Sequence, residues 1–140
     1  MGETFNSYKA GIDLDFLRQY CTVNGRMHVM RRGDIFQQTG MTSRHIGYVE
    51  TGCFKYTAHN DAEGKDYITG FAFSDEFVAD YPNCLYGKAS KVRIESITDS
   101  RVYIVDGTDV LSLFTENAER LLCGMKIMEG LFEQVYSSYI

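Results

Sequence analysis

The side chains of this 140-residue sequence best suited to metal, nucleophilic or acid–base chemistry are three histidines, four cysteines and the adjacent carboxylates Asp75-Glu76. His28, His45 and His59 stand seventeen and fourteen residues apart, so no HxH or HExxH pair places two imidazoles on one metal. Cys21, Cys53, Cys84 and Cys123 are separated by thirty-two, thirty-one and thirty-nine residues, which leaves no CxxC unit to clip zinc, an iron–sulfur cluster or a redox disulfide. In a reducing compartment they read as small buried hydrophobes. Asp75 and Glu76 are neighbours in sequence and point in different directions, as in a solvated loop rather than an acid–base couple. The sequence contains no GxSxG, GxxxxGK[ST] or GxGxxG motif. The reading is of a protein without catalytic residues, metal or cofactor.

The elements that position these side chains follow from the rest of the sequence. A chain of this length forms one domain, burying roughly 68–70% of its unfolded surface. It is 44% hydrophobic and 14% aromatic with a single proline, unlike disordered chains. No apolar run approaches the ~20 residues of a membrane helix. Fourteen Lys and Arg against nineteen Asp and Glu give a formal charge of −5, which argues against a basic groove for nucleic-acid phosphates. Met1-Gly2-Glu3-Thr4-Phe5-Asn6 has neither the positive start nor the apolar stretch of a signal peptide, so the cytoplasm is the expected compartment.

Ile12, Phe16, Leu17 and Tyr20 recur at helical spacing and predict a short amphipathic helix. After Asn24-Gly25 the period changes to two. Met27 and Val29 alternate with His28 and Met30, and Gly33-Asp34 turns the chain before Ile35-Phe36. Phe54, Tyr56 and Ala58 share one strand face, with Cys53, Lys55, Thr57 and His59 on the other. Residues Asn60 to Gly64 form a hairpin loop leading to a partner at Asp66 to Thr69. Alternation returns at Lys91 to Ile97 and Arg101 to Val105. Several short strands punctuated by glycine turns predict a small sandwich or roll. Between residues 74 and 90, three carboxylates and the proline break the alternation, so a loop or short helix interrupts the sheet there, either a functional element or a tolerated insertion.

Thr108 and Asp109 are candidate helix N-caps for a helical segment over 108–140, with 1–107 as the roll and its first helix. After Thr115-Glu116-Asn117, the residues Ala118, Leu121, Met125, Met128, Phe132, Val135 and Tyr139 follow spacings of three and four, the seam of a coiled coil held over three heptads. A helix of about 24 residues runs roughly 36 Å, and the seam predicts a homodimer. The alternative is an amphipathic helix lying on its own domain, with Leu122, Leu131 and Tyr136 widening the stripe. The seam is still in phase at Tyr139 without a glycine or asparagine cap, which carries the expectation of a further segment.

The runs Arg32-Gly33-Asp34-Ile35-Phe36, Ile46 to Gly52, Glu63-Gly64-Lys65, Asp75 to Asp80 and Thr98 to Val102, in this order with the terminal helix, resemble the cyclic nucleotide-binding domain of Crp/Fnr-type bacterial transcription regulators over about residues 12 to 140. Asp80-Tyr81-Pro82 resembles the divergent members common in Bacteroidetes. The resemblance implies a mainly β fold with flanking helices, an eight-stranded jelly roll (double-stranded β-helix) holding a small effector. A phosphate-binding cassette interrupts the roll, and a long C-terminal helix dimerises. In the family a helix-turn-helix follows that helix and binds DNA; this chain does not contain one. The implied role is effector sensing and dimerisation for a transcription regulator. The alternative is a stand-alone ligand-binding or protein-interaction module.

In members that bind cyclic nucleotides, a Gly-Glu pair takes the ribose hydroxyl and an Arg-Ser/Thr-Ala triplet takes the phosphate. Aligned through Phe77, the pair falls on Ala79-Asp80, beside Tyr81, and the triplet falls on Ser90-Lys91-Val92. Asp80 is suited to accept from a diol or, equally, to cap backbone N–H groups of the loop. Lys91 or Lys88 supplies a point charge without the planar fork of arginine. Losing a charge-assisted hydrogen bond to phosphate costs about 1.5–3 kcal/mol, so tight cyclic-AMP binding is not expected. Another small or nucleotide-like effector, or none, remains open. Arg93 shares a strand face with Glu95 and is expected in a surface ion pair. Tyr136 falls where relatives contact the effector base, and Val135 is assigned to the seam.

Overall fold

The computed structural model describes residues 14–126. Its elements are α1 (Asp15–Asn24), β1 (Arg26–Met30), β2 (Ile35–Gln37), β3 (His45–Thr51), β4 (Cys53–Asn60), β5 (Lys65–Phe73), β6 (Phe77–Val78), α2 (Asn83–Tyr86), β7 (Val92–Ser96), β8 (Ser100–Asp106) and α3 (Gly107–Phe114). A further helix, α4, covers 118–126. The strands form two four-stranded antiparallel sheets, ordered β1-β8-β3-β6 and β2-β7-β4-β5. Every pair of consecutive strands except β4/β5 lies in different sheets, which makes the two sheets a roll.

Alternation decides which residues fill the space between the sheets. Val49, Phe54, Tyr56, Ala72, Val78, Ile94 and Val102 meet there as one buried cluster, with Met30, Phe36 and Ile104 at its border. The ring of Phe54 packs edge-on against Phe36 at 6.0 Å. The outer face of the first sheet is covered by helices instead. Leu14, Leu17, Cys21, Ile46, Val110 and Phe114 are buried in a second cluster that also contains Phe77, Tyr81 and Leu85.

The expected hairpin at 60–64 is present and its chemistry is local. The Asn60 side-chain oxygen accepts from the N–H groups of Ala62 (3.0 Å) and Glu63 (3.2 Å), and Gly64 takes φ +65°. The partner strand is longer than the expected Asp66 to Thr69 and carries a bulge, since Tyr56 pairs with Gly70 while Thr57 pairs with Ile68. This leaves Thr69 as the extra residue.

Three local expectations are corrected. The buried stripe of α1 is Leu14, Leu17 and Cys21, with Phe16 and Tyr20 only partly buried beside it. Ile12 lies outside the described residues. Of the four cysteines only Cys21 and Cys84 are buried, whereas Cys53 and Cys123 are partly exposed, because Cys53 sits on the outer face of β4 opposite Phe73. Burial pushes the Cys21 thiol up to about 12, so it stays protonated.

The cap of α3 is Asp106 rather than Thr108 or Asp109. Its Oδ1 accepts from the Thr108 N–H at 2.8 Å and the Thr108 hydroxyl at 2.7 Å. These two hydrogen bonds, the hydroxyl first, hold the Asp106 carboxyl below its ordinary value. A folded-state value below the unfolded one contributes stability that is present above the unfolded pKa and lost as pH falls through the folded one. Asp106→Ala should therefore cost about 1 kcal/mol at neutral pH, and Asp106→Asn, which keeps the acceptor, should lose less stability than wild type when acidified from pH 5 to pH 2.5. Thermal melts across that range check both.

Candidate effector site

The interval 74–90 contains the two-residue strand β6 and the single-turn helix α2, so it is an ordered interruption of the roll. β6 leaves the ladder after Tyr48↔Phe77 and Gly47↔Val78. The next residue, Ala79, is 2% exposed and needs partners for both main-chain groups. The Tyr56 hydroxyl, on the inner face of β4, accepts from the Ala79 N–H at 3.0 Å and donates to the Ala79 carbonyl at 3.1 Å. Tyr56 is 4% exposed, and burial pushes its phenol far above the ordinary range, so the hydroxyl keeps the proton it donates.

Asp80 is half-buried and works locally. Its carbonyl accepts from the Cys84 N–H at 2.9 Å, and its Oδ2 accepts from Asn83 Nδ2 at 3.1 Å. The carboxylate thus bonds a side chain and not the backbone N–H groups expected of a loop cap, and α2 has no side-chain cap at its start. Tyr81 is buried in the helix-side cluster with Phe77, Cys84 and Leu85 and is joined to Pro82 by a cis peptide bond. Gly87 closes α2 at φ +64°.

The second arm, 88–92, is bound to a different part of the molecule. Gly40 N–H donates to Ser90 O (2.8 Å), Ser90 N–H to Met41 O (2.9 Å) and Ser43 N–H to Lys88 O (2.8 Å). The Ser90 hydroxyl donates to Val92 O at 2.9 Å and accepts from Val92 N–H at 3.2 Å. Lys91 is exposed, and Val92 packs at the edge of the inter-sheet cluster. Thus Ala79 and Tyr81 join the helix-side cluster, Ser90 joins the 40–43 loop, and Lys91 faces solvent. Lys88 lies over the Tyr86 ring, its Nζ 6.0 Å from the ring centroid. Arg93 pairs with Glu95 at 3.6 Å, as its strand position implies.

Tyr56 is the site residue that sequence reasoning did not single out. It was legible only as an inward apolar position. The available signal was chemical: a hydroxyl buried between two sheets requires a partner, and the nearest backbone leaving the ladder is at 79.

The interruption also touches the helices that follow the roll. α2 lies so close to the start of α3 that Gly107 meets the Cys84 carbonyl, and the Gly107 N–H donates to Arg44 O at 2.6 Å. A largely apolar cavity of about 400 Å³ lies between α2, α3 and α4, its walls including Tyr81, Leu85, Phe114, Leu121 and Met125. Two seam residues, Leu121 (46% exposed) and Met125 (51%), therefore face their own domain while remaining half open, and Leu122 is 50% exposed beside them. Ala118 is exposed. Met128, Phe132, Val135, Tyr136 and Tyr139 lie outside the described residues. Among the described residues, His, Cys, Asp and Glu side chains form no group able to hold a metal ion, and no helix is long and apolar enough to cross a membrane.

Two four-stranded sheets closed into a roll, an interruption between β6 and β7, and helices packed on the outside form a jelly roll similar to the cyclic nucleotide-binding-like fold of solved Crp/Fnr-type regulators. Solved structures agree on this fold. The chain is similar to the Thermus thermophilus Catabolite Activator Protein (TM-score 0.69, 11% identity, 94% of this chain and 59% of that one). It is also similar to the N-terminal domain of a transcriptional regulator from Streptomyces coelicolor A3(2) (0.68, 12%, 93% and 91%). A third is the c-di-GMP-responsive global regulator CLP from Xanthomonas campestris (0.65, 16%, 89% and 60%). The chain spans about three-fifths of two of these regulators and nearly all of the isolated N-terminal domain. No protein-family model and no curated protein matches the sequence.

Proposed function

We propose that this chain is the effector-sensing and dimerisation part of a Crp/Fnr-like transcription regulator, and not an enzyme. It acts as a cytoplasmic homodimer through its terminal helix, with DNA reached only through a helix-turn-helix outside this sequence. The observation that carries the reading is the contact between the cassette and the helices: α2 abuts Gly107, and Tyr81 and Leu85 share a cavity wall with Phe114, Leu121 and Met125. Any displacement of the cassette is thereby passed to the start of α3 and to the cavity wall it shares with α4, the kind of two-position element on which switching is built. Half-exposed Leu121, Leu122 and Met125 on α4 suit a helix that also packs on a second copy.

Cyclic AMP is not the expected effector. The Ala79 N–H is bonded to Tyr56, the Ser90 N–H to Met41, and the segment 79–91 supplies Lys88 and Lys91 but no arginine. Equilibrium sedimentation of the chain and of Met128→Glu tests the dimer. The wild type should be dimeric and the variant monomeric at high micromolar concentration, and a monomeric wild type would sink the reading. Cyclic AMP and cyclic GMP at millimolar concentration should leave the melting temperature unchanged, whereas a rise of several degrees would overturn the assignment of Ser90, Lys91 and Val92.

A further inference from the structure

Ala79 is the first cassette residue beyond the β6 ladder, and both of its main-chain groups are satisfied by one side chain from the opposite sheet. β6 belongs to the first sheet and β4 to the second, so the Tyr56 phenol spans the interior of the roll to reach it. A ligand held between roll and cassette would act in the same way, lying against the inner face of the sheet and offering an oxygen to cassette N–H groups. We propose that Tyr56 is a built-in occupant of the effector position. Its phenol fixes the first arm of the cassette, so that the roll holds α2 against α3 and α4 without a small molecule. The inference rests on reading 79–91 as the cassette of a sensing domain and names what holds it when no effector is bound: a tethered phenol.

Two features favour a positioning role over packing alone. The ring is embedded in the inter-sheet cluster while its oxygen bonds only the backbone of Ala79, so phenylalanine would fill nearly the same volume and remove the hold. The arm it fixes leads directly to Asp80, whose carbonyl accepts from Cys84, and Cys84 is the residue whose carbonyl meets Gly107. The path from Tyr56 to the start of α3 is continuous.

The test uses the full chain as wild type, Tyr56→Phe and Tyr56→Ala. Hydrogen exchange is read over 77–86 and 107–115, and melting is followed with p-cresol or toluene added as probes. The former is the tyrosine side chain and the latter the phenylalanine side chain. Tyr56→Phe should raise exchange at 79–84 about tenfold while β3, β4 and β8 stay protected. Tyr56→Ala should melt roughly 10 °C lower, with p-cresol recovering both the melting temperature and the protection at 79–84, and toluene recovering the melting temperature only. Wild-type protection of 79–84 in Tyr56→Phe, or equal restoration of protection by toluene and p-cresol, would overturn the proposal. If Tyr56→Ala does not fold, the Tyr56→Phe comparison decides alone. A monomeric wild type with a loosened cassette in Tyr56→Phe would instead leave this proposal standing and remove the dimer reading.

Discussion

Gly107→Ala is expected to destabilise the domain by about 3 kcal/mol, lowering the melting temperature by roughly 10 °C, although it adds one methyl group to a helix where alanine is normally favoured. The reason is positional. A β-carbon at 107 would land on the carbonyl oxygen of Cys84 and lie 2.6 Å from its carbonyl carbon, with Arg44 O at 3.3 Å. These are main-chain atoms of α2 and of the approach to β3, and no rotamer change relieves the overlap. Either α2 shifts away from α3 or the start of α3 unwinds, and both disturb the contact between α2 and α3. A thermal melt within about 1 kcal/mol of wild type would show that the close approach is slack. Increased exchange at 83–86 would identify α2 as the element that moves.

Phe54→Ala should be comparable or worse, at about 3–5 kcal/mol. Phe54 is fully buried in the cluster between the sheets, and its ring packs edge-on against Phe36. Truncation leaves a cavity walled by both sheets, which are held apart by their own ladders and have little freedom to collapse. A domain with ordinary stability of about 5–15 kcal/mol would be left marginal. Urea denaturation should show a lower midpoint with an unchanged slope, and Phe54→Leu should recover roughly half of the loss. A midpoint near wild type for Phe54→Ala would mean that the inter-sheet cluster is not the principal core.

Much of the roll was legible because strands declare themselves by alternation. Phe54 and Tyr56 point inward as their period requires, and the Asn60–Gly64 loop carries its own turn chemistry. What the pattern does not contain is the third dimension. Asp106, Thr108 and Asp109 are all cap-forming types within four residues, and the choice among them falls to Asp106 because β8 pairs as far as His45↔Asp106 and ends there. Cys53 and Cys84 are the same residue type, yet one lies on an outer strand face and the other on the buried face of α2. The terminal seam posed a deeper ambiguity. Spacings of three and four serve a coiled coil and a helix resting on its own domain equally well, and Leu121 and Met125 show why, since each lines an intrachain cavity while staying half exposed.

Alignment offered Ala79, Asp80, Ser90 and Lys91 as candidate positions, but not what each of them bonds. The Asp80 carboxylate is taken up by the Asn83 side chain, and the Ser90 backbone by the 40–43 loop. The hold on Ala79 comes from residue 56, twenty-three positions away in sequence and in the other sheet. A pairing of that kind follows from topology and leaves no local signature.

The second arm of the cassette is tied to the 40–43 loop through main-chain groups of Lys88 and Ser90. Bonds of that kind are blind to side-chain identity. Lys88, Ala89 and Lys91 are exposed, so a lineage could rewrite the chemistry of this rim one residue at a time while the path of the chain stayed put. An arginine at exposed position 91 would add a planar donor to this rim without moving the chain, whereas Ser90, the position aligned with the family's arginine, is buried with its hydroxyl bonded to Val92.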